Sequence, residues 1–206
     1  MLPLVVYGAG GHGKVICDIL LRAGEDVLGF VDDGARVGDR VLDRPILGPL
    51  SWLSTTRARV ALGIGRNDPR AAIAERCVAH GAELVTAIHP SAVIAPSATI
   101  EDGVVVMALA VINPDAVIRR GAIVNTAAVV EHDCVVGAFA HVSPNSTMGG
   151  GCSVGARAQL GIGATMLPGT SIGDGTTVGG GALVTRDLPA NVIARGVPAR
   201  VARNVG

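Results

Sequence analysis

Residues 1–86 read as a small α/β parallel-sheet domain, and residues 87–206 as a parallel β-helix built from hexapeptide repeats. Three observations carry this reading. Every sixth residue from Ile88 to Val184 is Ile, Val, Leu or Met, seventeen positions without an insertion. The aromatic content is only 2% while Gly reaches 29 residues, so narrow stacked coils of Ala, Val, Ile and Gly must replace a conventional aromatic core. The first 86 residues follow a different rule, with apolar runs alternating with helical segments.

In the first region, Leu4 to Tyr7 reads as a buried strand. It leads into the glycine loop Gly8-Ala9-Gly10-Gly11-His12-Gly13 and a helix from about Gly13 to Ala23, closed by Gly24. Val27 to Val31 is a second strand ending at Asp32-Asp33, and Val60 to Ile64 a third. Asp68 offers an N-cap with Pro69 at the first helical position, for a helix that stops near His80 before Gly81. Glu83 to Ile88 reads as a last strand; Pro45 and Pro49 mark residues 34–57 as loop-rich.

In the repeats, we number each hexad from its aliphatic residue. Position +4 is small, from Ala92 to Ala182, with Val104 the exception, so positions 0 and +4 both face inward. Cys134 and Cys152 fall in this small inward column and read as core filler. Pro at +2 and Gly at +3 form the corners. The outward +5 column is apolar in its first half (Val93, Val105, Val111, Val117, Ile123, Val129, Val135) and polar afterwards. An apolar outer face calls for a partner surface, and self-association is expected.

Zero formal net charge, with Lys14 the only lysine, argues against nucleic acid and membrane partners. The four cysteines form no C-x-x-C pair, and the opening apolar run is too short for a secretory leader, so a cytoplasmic protein with reduced thiols is expected. No His, Cys and Asp cluster has ligand spacing, and no metal is expected.

The glycine loop, Asp32-Asp33, Gly65, Asn125-Thr126, Glu131-His132-Asp133, His141-Val142-Ser143, Leu160-Gly161-Ile162 and Gly196-Val197-Pro198-Ala199-Arg200 together resemble the left-handed β-helix acyltransferases. Within them, the chain is similar to the sialic acid O-acetyltransferase-like branch that N-acetylates nucleotide-linked amino sugars. The resemblance implies coils of three hexads, a homotrimer and acetyl-CoA as cosubstrate. Residues 18 apart then stack, and His132 occupies a corner column otherwise made of Pro96, Pro114, Gly150 and Pro168.

The resemblance implies His132 as general base and Asp133 as its orienting acid, in a place where related enzymes often have Glu, so that contact by the shorter side chain is left open. It also implies that the Gly150 amide stabilises the thioester oxyanion. His141, Ile162 and Gly180 match positions that contact acetyl-CoA, although Gly180 is also simply part of a glycine run; Arg195 and Arg200 are candidates for CoA phosphates.

Alone, Gly8-x-Gly10-x-x-Gly13 with Asp32 downstream would suggest NAD, but the domain lacks the second half of a dinucleotide fold. The resemblance assigns Gly10, Gly11, His12, Asp32, Asp33 and Gly65 to a nucleotide-linked amino sugar, and Asn125 is placed with the substrate. Lys14 is either a phosphate contact or solvated; His80 and His89 are given no role. The leading expectation is an N-acetyltransferase acting on a nucleotide-linked 4-amino-4,6-dideoxy sugar. A sugar O-acetyltransferase and a non-catalytic nucleotide-sugar-binding trimer are the alternatives.

Overall fold

The run of short apolar segments in the first region assembles into one twisted sheet. The computed structural model describes residues 2–205, and the chain divides into two units, one ending at Pro90 and the other beginning at Ser91. The hexad count begins earlier, at Ile88, but the strand Ala87–Ile88 packs against a helix of the first unit.

The first unit contains strands β1 (Leu4–Tyr7), β2 (Val27–Val31), β3 (Arg40–Val41), β4 (Arg44–Gly48), β5 (Arg59–Leu62) and β6 (Glu83–Leu84) in the order β3-β4-β2-β1-β5-β6. All neighbours are parallel except β3 and β4, which form a hairpin. Helices α1 (Gly11–Arg22) and α2 (Asn67–Ala79) accompany the sheet. The loop expected over residues 34–57 is therefore largely ordered, with β3, β4 and a 3-10 turn at Leu50–Ser54. The hairpin turns on Leu42 (φ 47°) and Asp43 (φ 57°); Asp accepts the left-handed region, but Leu is a residue that rarely announces such a turn. Helix α1 begins two residues before its expected start. Helix α2 follows Arg66 and not Asp68, with no side-chain cap.

The second unit is a left-handed parallel β-helix. From Val93 to Val184 its strands are two residues long and pair in parallel with the strand 18 residues on, as in Val105↔Ile123↔His141↔Gln159 and Val129↔Thr147↔Thr165, and the unit ends in an antiparallel pair, Val192–Arg195 with Arg200–Asn204. Each hexad supplies one strand from positions +5 and 0 and then a corner, so three hexads close a coil. Inward positions 0 and +4 form one continuous core from Val104 to Ala199 that includes Cys134 and Cys152. Corners stack through their backbone: the +3 amide of one coil donates to the +2 carbonyl of the coil before, as Gly151 does to His132 (2.9 Å) and Gly169 to Gly150 (2.9 Å). The +3 residues adopt positive φ even where they are not glycine, as at Asp115, Asp133 and Asn145. The outer apolar column is divided in its exposure. Val105 and Ile123 are buried within the chain itself, while Val93 is 63% and Val135 37% exposed.

Candidate active site and its relatives

At one corner of the β-helix the proline column is interrupted by His132, and the interruption is stereochemically specific. Asp133 sits at the +3 position with φ 60°, a left-handed conformation that Asp tolerates better than most residues. Its amide donates to the Pro114 carbonyl (3.1 Å), fixing the corner, and its carboxylate Oδ2 lies 2.7 Å from His132 Nδ1. The short acid therefore reaches the imidazole, because the turn places the two side chains side by side. The Asp133 hydrogen bond, assisted by the charges of Asp133 and Glu131, raises the His132 pKa above its ordinary value. Both side chains are exposed. With Nδ1–H donated to Asp133, the neutral ring carries its lone pair on Nε2.

The next coil supplies Gly150. A Cβ built on Gly150 would lie 2.5 Å from His132 Nε2 and 2.6 Å from Cε1, so the imidazole rests on a bare backbone. The Gly150 carbonyl is held by Gly169, while its N–H makes no hydrogen bond to any described residue. In the rest of this column the residues are Pro96, Pro114 and Pro168, which have no N–H at all. A histidine base and a free amide thus occupy adjacent coils on one edge.

On a neighbouring face, Asn125 Oδ1 accepts the Thr126 amide (2.7 Å), which orients the Asn125 Nδ2 toward His141 Nε2 at 2.9 Å. With the amide N–H donating, His141 Nε2 is the acceptor of this bond. This places Asn125, expected as a substrate contact, against the expected acetyl-CoA residue His141. Ile162 is 63% exposed at its corner. A Cβ on Gly180 would lie 3.1 Å from the Ile162 carbonyl, so the two stack.

In the first unit the glycine loop is tightly packed on one side and open on the other. A Cβ on Gly13 would lie 1.8 Å from the Gly8 carbonyl, whereas Gly10 and Gly11 have nothing within 4 Å of theirs. Gly10 is the N-cap of α1 and offers no side-chain cap, so the first-turn amides have no intrahelical acceptor, an arrangement suited to anionic oxygen. His12 Nε2 is buried without a partner. Burial, with Arg70 nearby, lowers the His12 pKa to about 4. A Cβ on Gly65 would lie in ordinary contact distance of the His12 ring, and the Gly65 carbonyl accepts from the fully buried Arg70 (2.9 Å).

The acidic pair holds the loops. Asp32 accepts the amides of Ala9 (2.7 Å), Gly34 (2.8 Å) and Ala35 (3.1 Å). Asp33 accepts the Leu50 amide (2.7 Å) and the Tyr7 hydroxyl (2.9 Å), and pairs with Arg76 at 3.4 Å. The Leu50 amide, then Tyr7 and Arg76, hold the Asp33 carboxyl below its ordinary pKa, while burial pushes the Tyr7 phenol well up. Tyr7 and Arg70 were not expected from the sequence as part of this region; each is buried polar chemistry beside a glycine turn, visible only once the strands are placed. Among the described residues no His, Cys, Asp and Glu group has metal-holding geometry.

The chain as a whole is similar to several solved structures. The perosamine N-acetyltransferase of Caulobacter crescentus, solved with CoA and GDP-perosamine, is 44% identical, with 98% of this chain and 97% of that one covered at a TM-score of 0.93. The chain belongs to the family of hexapeptide-repeat N-acetyltransferases of nucleotide-linked amino sugars. A variant of the same Caulobacter enzyme with one histidine replaced by asparagine, also with CoA and GDP-perosamine, matches at 43% identity with the same coverage and TM-score. The acetyltransferase domain of PglB from Neisseria gonorrhoeae, solved with acetyl coenzyme A, is 37% identical over 97% of this chain and 98% of its own, with a TM-score of 0.91. Residues 3–77 match the PglD N-terminal domain family. The UDP-N-acetylbacillosamine N-acetyltransferase of Bacillus subtilis is 35% identical over 114 residues, a match spanning 52% of each protein.

Proposed function

We propose that this protein is an acetyl-CoA-dependent N-acetyltransferase that acetylates the 4-amino group of a nucleotide-linked 4-amino-4,6-dideoxy sugar. The observation that carries the reading is the corner at which His132, oriented by Asp133, lies against Gly150 with its unpaired amide. His132 Nε2 takes a proton from the sugar nitrogen as that nitrogen bonds to the acetyl carbon. The Gly150 N–H donates to the thioester oxygen as negative charge develops there. The carbon–sulfur bond breaks, CoA leaves as thiolate, and the proton held on His132 is available to it. No acyl-enzyme is needed, and the described cysteines are all buried.

His141, with Ile162 and Gly180, is assigned to acetyl-CoA, and Asn125 positions His141. Gly10, Gly11, His12 and Gly65 are assigned to the nucleotide sugar, with the α1 amides facing its diphosphate. Asp32 and Asp33 act on that substrate through the loops they hold. The Caulobacter enzyme solved with GDP-perosamine supports the substrate class, and the half-exposed valines of the outer column support a homotrimer. No described helix is long and apolar enough to cross a membrane. Free cysteines accord with the reducing cytoplasm, where we place the enzyme.

The test is a CoA-release assay with UDP-, GDP- and dTDP-linked 4-amino sugars beside their 4-hydroxy counterparts. Release with an amino sugar and none with its hydroxy counterpart supports the reading. Release with the hydroxy sugar alone assigns O-acetylation instead, and no release with any sugar leaves only a binding trimer.

A further inference from the structure

The repeat's small inward column contains two cysteines, stacked one coil apart, and each sends its thiol to a corner carbonyl of the following coil. Cys134 Sγ donates to the Gly149 carbonyl (3.1 Å), and Cys152 Sγ to the Leu167 carbonyl (3.1 Å). At most corners the +1 carbonyl is instead capped by the +4 amide of its own hexad, as Asn125 is by Ala128 (3.0 Å) and Gly161 by Ala164 (3.0 Å). The Leu167 carbonyl also keeps that bond, from the Thr170 amide (3.2 Å), and gains the Thr170 hydroxyl (2.7 Å). At Gly149 the thiol is the donor.

The peptide on which Cys134 acts is the one that carries the Gly150 N–H. A trans peptide is planar, with its C=O and N–H pointing in opposite directions. A carbonyl drawn inward to the buried thiol therefore turns the Gly150 N–H outward, to the edge where His132 lies. A hydrogen bond accepted by an amide oxygen also polarises its N–H and strengthens it as a donor. Burial pushes the Cys134 thiol up to about 11, against a smaller opposing effect of the Cys152 and Gly151 amides, so it keeps its proton at neutral pH.

We infer that Cys134 is a positioning residue for acetyl transfer, orienting and polarising the Gly149–Gly150 peptide so that its N–H serves the developing oxyanion. This rests on the proposed role of Gly150. Cys152 is a built-in control: the peptide it touches joins Leu167 to Pro168 and has no N–H to present. Alanine already fills the same stacked column at Ala98 and Ala116, so neither cysteine is required for the coil to form.

The experiment compares wild type, Cys134→Ala and Cys152→Ala. It measures kcat, both KM values, and the infrared carbonyl band of acetyl-CoA labelled with carbon-13 at the thioester carbon when bound to each protein. Cys134→Ala is expected to lower kcat about five- to tenfold, the effect of one lost hydrogen bond, with both KM values unchanged. It is also expected to lose part of the red shift of the bound carbonyl. Cys152→Ala is expected to keep wild-type kcat and band position. Equal kcat in the two variants, whether both fall or neither does, overturns the inference, as does an unaltered band in Cys134→Ala. A wild-type enzyme that transfers acetyl groups without any red shift instead removes the oxyanion role of Gly150 on which the inference stands.

Discussion

The imidazole of His132 lies directly on the backbone of Gly150, one coil on, with room for hydrogen but not for a methyl group between them. The edge therefore depends on glycine for shape as well as for a free amide.

Gly150→Ala separates activity from stability. The atom opposing the new methyl is the end of an exposed side chain that can swing aside, so the melting temperature is expected to stay within a few degrees. The displaced imidazole leaves its site, and kcat is expected to fall at least about a hundredfold, within the range of losing a general base. A crystal structure of the variant checks that the ring has moved.

His132→Asn removes the base while leaving a polar side chain at the corner. A fall in kcat of about two to four orders of magnitude, with KM values within a fewfold of wild type, is the expected result of steady-state assays.

Asp133→Asn tests the raised His132 pKa. Asn also accepts the left-handed backbone at this position, so the turn is expected to hold. In wild type, activity falls as pH drops through a pKa above the usual imidazole value, because protonation consumes the lone pair. In the variant the carboxylate that favours imidazolium is gone, so the acid limb moves to lower pH while the plateau kcat drops. A pH profile of kcat reads both changes.

Asn125→Asp reverses the polarity opposite His141. The amide donor becomes an acceptor, His141 must place a proton on Nε2, and its imidazolium becomes favoured. The expected outcome is a KM for acetyl-CoA raised about fivefold with little change in kcat, accompanied by a changed His141 nitrogen signal in NMR spectra.

His12 makes stability depend on pH. Its folded pKa of about 4 lies below the ordinary value of 6.5. Between these values the unfolded chain binds the proton and the folded chain does not, so stability is complete above pH about 6.5 and is lost as pH falls toward 4. Melting of wild type beside His12→Asn between pH 7 and 4.5 is expected to show a shallower decline in the variant.

The β-helix was legible because each hexad repeats the same steric demand, and seventeen aliphatic positions allow no other register. What was not legible depends on backbone conformation or on the neighbouring coil. Contact between Asp133 and His132 follows from the positive φ at residue 133, which shortens the reach that an acid needs. The Leu42–Asp43 hairpin was hidden because its first turn residue, Leu42, does not advertise a left-handed conformation. Asp32 and Asp33 stood out as a charged pair, but their partners, backbone amides of Ala9 and Leu50, have no side-chain signature. Cys134 was rightly placed in the core, while its carbonyl partner 15 residues on is set by how coils stack.

The ladder that joins the Pro114, His132 and Gly150 corners gives the site a built-in ruler. The backbones that carry the base and the amide donor are separated by one strand spacing, about 4.8 Å, a dimension belonging to the hydrogen-bonded lattice and not to any loop. Side chains around the edge can drift in evolution without altering that gauge. Selection for a new sugar can then remodel the surroundings while the distance across which acyl chemistry occurs stays the same.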